Sequence, residues 1–158
     1  MDFLTVNPIG TVHVSENGFQ IELFHAYRAG LTGLVGFGHL TTLWWFSGCD
    51  DPASRASLSE EHPYAKGPQS LGVFATRSPR RPNPLALSCA GIIGLDEENG
   101  VIRLDYLDAD DGSPVLDIKP YTPSLDRVEH PAVPVWCSHW PESVEASGDF
   151  DWEREISF

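Results

Sequence analysis

Short apolar or alternating runs recur along this chain, and nearly every one is closed by Gly, Pro, Asn or Asp. That punctuation most narrows the fold, because it leaves room for strands and turns but almost none for long helices. "IGTVHV" (9–14) reads as a strand, "SENG" as a tight turn and "FQIEL" as the hairpin partner. "LTTLWWFSG" (40–48) is nearly continuous in apolar and β-branched residues, as a buried strand should be. "LGVFAT" (71–76), "LALSCAGIIGL" (85–95), "GVIRLDYLDA" (100–109) and "PVLDI" (114–118) continue the series, with "DEENG" as the turn between the second and third. Only His25 to Leu34 offers a short helix, and its glycines weaken it. Strand and helix never alternate regularly, which disfavours a doubly wound sheet. The expected architecture is all-β: a single closed or nearly closed β-barrel with short helical insertions.

A length of 158 residues suits one domain. We expect a single domain over 1–158, with a core at about 7–121 and a tail at 131–158 packing on it. That tail carries Trp136, Trp140 and Trp152, three of the five tryptophans. Between Cys49 and Ser70 lies a polar stretch broken by Pro and Gly, longer than most structureless loops. No run of ~18 apolar residues suggests a membrane span, and the opening "MDFLTVNPIG" has no leader-like pattern. A cytoplasmic location is the expectation.

Cys49, Cys89 and Cys137 are odd in number and widely spaced, so free thiols are expected. "CSH" at 137–139 lacks a second pair to complete a tetrahedral site, and no metal is expected. The net charge of −13 argues against a broad nucleic-acid face and suits a small polar ligand better.

Against that acidic background, Arg77 to Pro84 reads "RSPRRPNP", with three arginines and three prolines. Proline fixes φ at three positions and pushes the preceding residues toward extended geometry, giving a stiff arm. Arginine forks on such an arm can hold a carboxylate or phosphate. "DADDGSPVLDIKPY" (108–121) has the opposite character: carboxylates before a Gly-Ser-Pro turn, then Asp117, Lys119 and Tyr121 spaced for one strand face. Its spacing is not that of a calcium loop. There is no G-x-S-x-G elbow, Walker A sequence or G-x-G-x-x-G fingerprint. His39 opens the buried strand, where a lone histidine commonly has a structural role.

Two of these segments carry a resemblance. "GVFATRSPRRPNPLALS" resembles the "GVFATRSPxRPNPIGLS" signature of the TsaA-like, TrmO-type β-barrel methyltransferases, and "DGSPVLDIKPY" is similar to their "DGTPVLDIKPY". "LTGLVGFGHLTTLWWF" and the opening "NPIGTV" extend the likeness over about Asn7 to Tyr121. The resemblance implies S-adenosylmethionine (SAM) as methyl donor, a homodimer, and N-methylation of threonylcarbamoyladenosine beside the tRNA anticodon. By motif, the implied cofactor positions are Ser47, Gly48, Arg77, Leu87, Asp108, Ala109, Asp110 and Asp111. Arg81, Asn83, Lys119, Asp117 and Tyr121 also fall on family motif positions; the first three are the candidates for substrate binding, and Asp117 and Tyr121 for a catalytic base. Three features depart from the pattern. Ala86 stands where the family has Gly, a short hairpin replaces an inserted Pro-Arg-Gln loop, and no counterpart to a C-terminal extension is expected.

Methyl transfer is an in-line displacement at a sulfonium carbon, so the protein mainly aligns donor and acceptor. Carboxylates suit the donor's hydroxyl and amino groups, and arginine suits its carboxylate. Two alternatives accompany the tRNA reading: a methyltransferase for a small molecule, and a SAM-binding module without catalysis.

Overall fold

The computed structural model describes residues 4–158; residues 1–3, part of the opening segment read above for a leader, lie outside. The chain divides into two compact units. One runs up to Ser47 and resumes over Leu85–Arg127; the other comprises Gly48–Pro84 and Val128–Phe158. Among the described residues no helix is long and apolar enough to cross a membrane.

The first unit is the expected barrel, and it is closed. Strands β1 (Gly10–Ser15), β2 (Gly18–Leu23) and β3 (His39–Trp45) precede an excursion into the second unit, where β4 (Ser59–Glu61) and β5 (Ser70–Gly72) lie. The barrel then resumes with β6 (Leu85–Asp96), β7 (Val101–Leu104) and β8 (Pro114–Pro120). The six barrel strands pair antiparallel in the order β1-β2-β7-β6-β3-β8. Glu16 and Asn17 turn the first hairpin, and Gly18 takes φ +101°, a value that glycine adopts freely. His25–Leu31 forms a 3-10 helix where a short helix was expected.

Alternation fills the interior. Val12, Ile21, Leu40, Ile102 and Val115 point inward and are fully buried, each contributing about 1.5–3 kcal/mol over exposure. Thr42 lies in the same inward row of β3, fully buried, and its hydroxyl has no hydrogen-bond partner. The strand expected over 100–109 stops at Leu104, because the Asp105 carboxylate accepts the Gly91 N–H at 2.8 Å and the Tyr106 N–H at 2.7 Å. A Cβ at Gly91 would sit 2.4 Å from Asp105 Oδ2, so any larger residue there has to displace that carboxylate.

Barrel closure rests on a short seam. β1 meets β8 through Gly10↔Val115 and Thr11↔Pro114. Three flanking bonds extend it: Ile9 N–H to Val115 O (2.7 Å), Val12 N–H to Ser113 O (2.9 Å) and Gly112 N–H to Val12 O (2.9 Å).

The second unit has its own organisation. The stretch expected as a loop contains helix α1 (Pro52–Ala56), capped by Asp51, whose side chain accepts the Ala53 and Ser54 N–H groups. It also contains β4, which pairs with β5. "LGVFAT" is strand only as far as Gly72; Val73–Ala75 is a 3-10 turn closed by the Thr76 N–H on Val73 O. Helices α2 (Pro123–Asp126, in the first unit), α3 (Val144–Ser147) and α4 (Trp152–Glu155) are each a single turn. Tyr64, 5% exposed, stacks on Trp136 at 5.2 Å and meets Trp140 and Phe158 edge-on, so the tail's aromatics gather around it. Glu155, also buried, accepts the Trp140 indole N–H at 2.9 Å and sits 3.1 Å from His139 Nε2.

Candidate functional site

In the barrel unit, the segment after Leu104 builds a carboxylate turn. Leu107, 1% exposed, anchors it in the core. The Ala109 N–H bonds to Leu107 O at 2.9 Å, and the Ser113 N–H bonds to Asp110 O at 3.2 Å. Gly112 adopts φ +84°, which lets its N–H reach β1. Asp111 is committed to β1 as well: its Oδ1 accepts the Val14 N–H at 2.9 Å and lies 3.8 Å from His13 Nδ1. Asp108 and Asp110 are exposed, and with Ala109 they line one side of a cleft of ≈ 270 Å³.

Aromatic rings supply the rest of that cleft. Trp44 is held by its indole N–H, which donates to Ser88 Oγ at 3.0 Å, and Phe46 packs edge-on against it at 4.4 Å. Phe19 and Tyr106 form a second edge-on pair at 5.1 Å. Partial burial, followed by the adjacent Asp108 carboxylate, pushes the Tyr106 phenol up, so it is a neutral hydrogen-bond donor at ordinary pH. The cleft combines planar apolar walls with two carboxylates at its rim, a surface able to hold a flat ring that carries hydroxyl or amino groups. Ser47 follows Phe46 directly and is exposed.

Other expected positions fall elsewhere in the barrel unit. Strand pairing sets Asp117, Leu43 and Leu87 in one outward row across β8, β3 and β6, with Lys119, Thr41 and Cys89 in the next. Lys119 Nζ lies 2.5 Å from Asp117 Oδ2, so the alternation expected for β8 holds. Tyr121, just beyond β8, donates its N–H to His39 O at 3.0 Å and meets the His39 ring edge-on. A larger cleft of ≈ 330 Å³ over β1 and β2 contains His13, Glu22 and Arg28, and none of the expected site residues lines it.

The arginine arm belongs to the second unit, with exposed Gly48 and exposed Asn83. Arg80 makes a two-pronged pair with Glu60 (Nε–Oε1 3.1 Å, Nη2–Oε2 2.7 Å), and Ser78 Oγ donates to the same carboxylate at 2.5 Å. Arg80 first, then Ser78, holds the Glu60 carboxyl below its ordinary value despite its burial. Arg81 turns back on its own loop: Nε donates to Ser78 O (2.7 Å), and Nη2 to Val73 O (2.8 Å) and Thr76 O (2.7 Å). Arg77 is exposed, and its backbone N–H donates to the Tyr64 hydroxyl at 3.2 Å.

Residues 5–127 match the family model of the tRNA-methyltransferase O N-terminal domain. The chain belongs to that family. Among its relatives, an S-adenosyl-L-methionine-binding protein of Archaeoglobus fulgidus is 40% identical over 109 residues, 69% of this chain and 73% of the relative. A tRNA (adenine(37)-N6)-methyltransferase of Eikenella corrodens is 44% identical over 97 residues, 60% of this chain and 52% of that protein. The crystal structure of TrmO from Pseudomonas aeruginosa superposes with a TM-score of 0.66 at 26% identity, covering 85% of this chain and 62% of that one. A longer Archaeoglobus fulgidus relative is spanned over 29% of its length.

Within this TrmO-family barrel, the structure joins the Asp108–Asp110 turn to the end of β3, two segments that the sequence motifs marked separately. It sets Leu87, Asp117 and Lys119 on the outer barrel face instead. Sequence reasoning missed Phe19, Phe46 and Tyr106 as site residues. Tyr106 carried a local signal, lying two residues before Asp108, whereas Phe19 becomes relevant only through its pairing opposite Leu104.

Proposed function

We propose that this chain is a SAM-dependent methyltransferase that N-methylates threonylcarbamoyladenosine in tRNA, acting as a cytoplasmic homodimer. The observation that carries the reading is the cleft in which Asp108, Ala109 and Asp110 face the aromatic end of β3. Family membership and the tRNA methyltransferase named among its relatives support the choice of reaction. Bound SAM would supply an activated methyl on a sulfonium centre. Asp108 and Asp110 are suited to hold the donor's hydroxyl or amino groups by charge-assisted hydrogen bonds. Methyl transfer forms a C–N bond as the C–S bond breaks, and the accepting nitrogen releases a proton. Asp117 and Tyr121 are the groups proposed to take that proton, with Lys119 toward the substrate.

The net charge of −13 sets a quantitative expectation. Arg80 is paired with Glu60 and Arg81 is bonded to backbone carbonyls, so the arm commits two of its three arginines to contacts within its own unit rather than to tRNA phosphates. The log–log salt slope of tRNA binding should therefore be shallow, about −1 to −2. The deciding assay is incubation with methyl-labelled SAM and bulk tRNA, followed by digestion to nucleosides. Label in methylated threonylcarbamoyladenosine is the expected result. Label confined to a small-molecule pool, with none in tRNA, refutes the tRNA acceptor.

A further inference from the structure

We propose that the cleft over β1 and β2 binds a nucleoside phosphate, with Phe24 stacking on the base and Arg28 and His25 taking the phosphate. This rests on the tRNA reading above and deepens it, since the ligand is then one nucleotide of the RNA strand. The cleft shares no lining residue with the one beside Asp108 and Asp110, so it is a second site on the barrel unit.

The backbone under this cleft is fixed before any ligand arrives. The Leu23 N–H bonds to Gly100 O at 2.8 Å, the Phe24 N–H to Ile9 O at 2.9 Å and the Tyr27 N–H to Phe24 O at 2.8 Å. On that support Phe24 is 48% exposed, an aromatic surface left to water at the edge of a cleft, and a planar base can stack on it at little entropic cost. Arg28 is half-buried, and its stem lies against Gly100, where a Cβ would come within 2.6 Å of Arg28 Cγ. Its Nε and Nη1 donate to Leu23 O at 3.4 Å and Glu98 O at 3.3 Å, long bonds that orient the guanidinium without neutralising it. Among the described residues Arg28 forms no ion pair, whereas Arg80, Lys119 and Arg154 each face a carboxylate. An uncompensated guanidinium in an acidic chain suits an anion from outside, and the exposed imidazole of His25 can donate to the same group. Glu22, the acidic group of the lining, lies 3.5 Å from His13 Nε2 and repels a phosphate from the β1 side, which directs it to Arg28. At ≈ 330 Å³ the cleft falls within the ~300–1,000 Å³ of sites that enclose a small molecule, enough for a base with its phosphate.

Fluorescence anisotropy with an anticodon stem-loop RNA over a salt series, and calorimetry with AMP and adenosine, test the assignment on the full chain. Arg28→Gln should weaken the RNA at low salt and reduce the log–log salt slope by about one. Arg154→Gln, which removes the same charge from an exposed pair with Asp151 in the other unit, should change neither. Phe24→Ala should weaken the RNA about tenfold, the loss of one base–aromatic stack, at every salt concentration. Phe24→Tyr keeps the ring and should retain affinity, which separates stacking from any loss of fold. Wild type should prefer AMP to adenosine, and Arg28→Gln should abolish that preference. RNA bound by Arg28→Gln and Phe24→Ala with wild-type affinity and slope overturns the site while leaving the tRNA reading intact. AMP binding that depends on Arg28 and Phe24, without any RNA binding, upholds the site for free nucleotides and overturns the tRNA reading. If the wild type binds neither RNA nor AMP, both fall.

Discussion

Replacing Arg81 by methionine asks whether this arginine serves the substrate or the loop that carries it. In the structure its guanidinium spans three carbonyls, those of Val73, Thr76 and Ser78, at 2.7–2.8 Å. Hydrogen bonds to a charged group contribute roughly 1.5–3 kcal/mol each when both partners are withdrawn from water. Arg81 is half-buried, so water can reach part of what the variant vacates, and a net loss of about 2–4 kcal/mol is expected for the three together. Methionine keeps the stem and removes every donor. Lysine keeps the charge, but a single ammonium cannot reproduce the planar fork, so Arg81→Lys should recover less than half of the loss. Urea denaturation gives the free energy, and amide exchange over 73–81 shows whether the loss is local. A variant as stable as wild type, with those amides still protected, refutes the structural role. If such a variant also lost tRNA binding, Arg81 would return to the substrate contacts expected from the sequence.

Two further outcomes follow from buried polar groups. Thr42→Val swaps a buried, unpartnered hydroxyl for a methyl of the same shape. The swap should stabilise the barrel by about 1 kcal/mol, and a lowered melting temperature would contradict this. Glu60 has a folded-state pKa held below its ordinary 4.5, chiefly by Arg80. Its contribution is therefore complete above that value and disappears as the pH falls through the lower, folded one. Acid titration of wild type and Glu60→Gln should show a stability gap at neutral pH that closes below pH 4.5; a gap unchanged at low pH would exclude this linkage.

The barrel was legible because its information is local and periodic. "GTVHV" alternates with period two, "HLTTLWW" and "PVLDI" are short apolar or β-branched runs, and each became a barrel strand. Where the reading departed from the structure, side chains bonding to the backbone made the difference. The 3-10 turn at Val73–Ala75 depends on Arg81 reaching back to Val73 O, and the end of β7 depends on Asp105 capping Gly91. Neither contact leaves a repeat in the sequence. The site divided in the same way. The carboxylate turn was visible as a run of adjacent residues, but its aromatic walls come from β2, the end of β3 and the segment after β7, which only the strand order brings together.

The short seam between β1 and β8 has a consequence for how the protein is made. Val14 and Asp111, which help to close it, are 97 residues apart. At ~5–20 residues per second of synthesis, the β1 edge waits about 5–20 s before its partner leaves the ribosome. Through that interval it is an unpaired edge that another nascent chain can join. Asp111 belongs to the same turn as Asp108 and Asp110, so the event that retires the open edge also completes the cleft. A ligand in the cleft therefore cannot guide the early chain; it can only hold shut a barrel that has already closed.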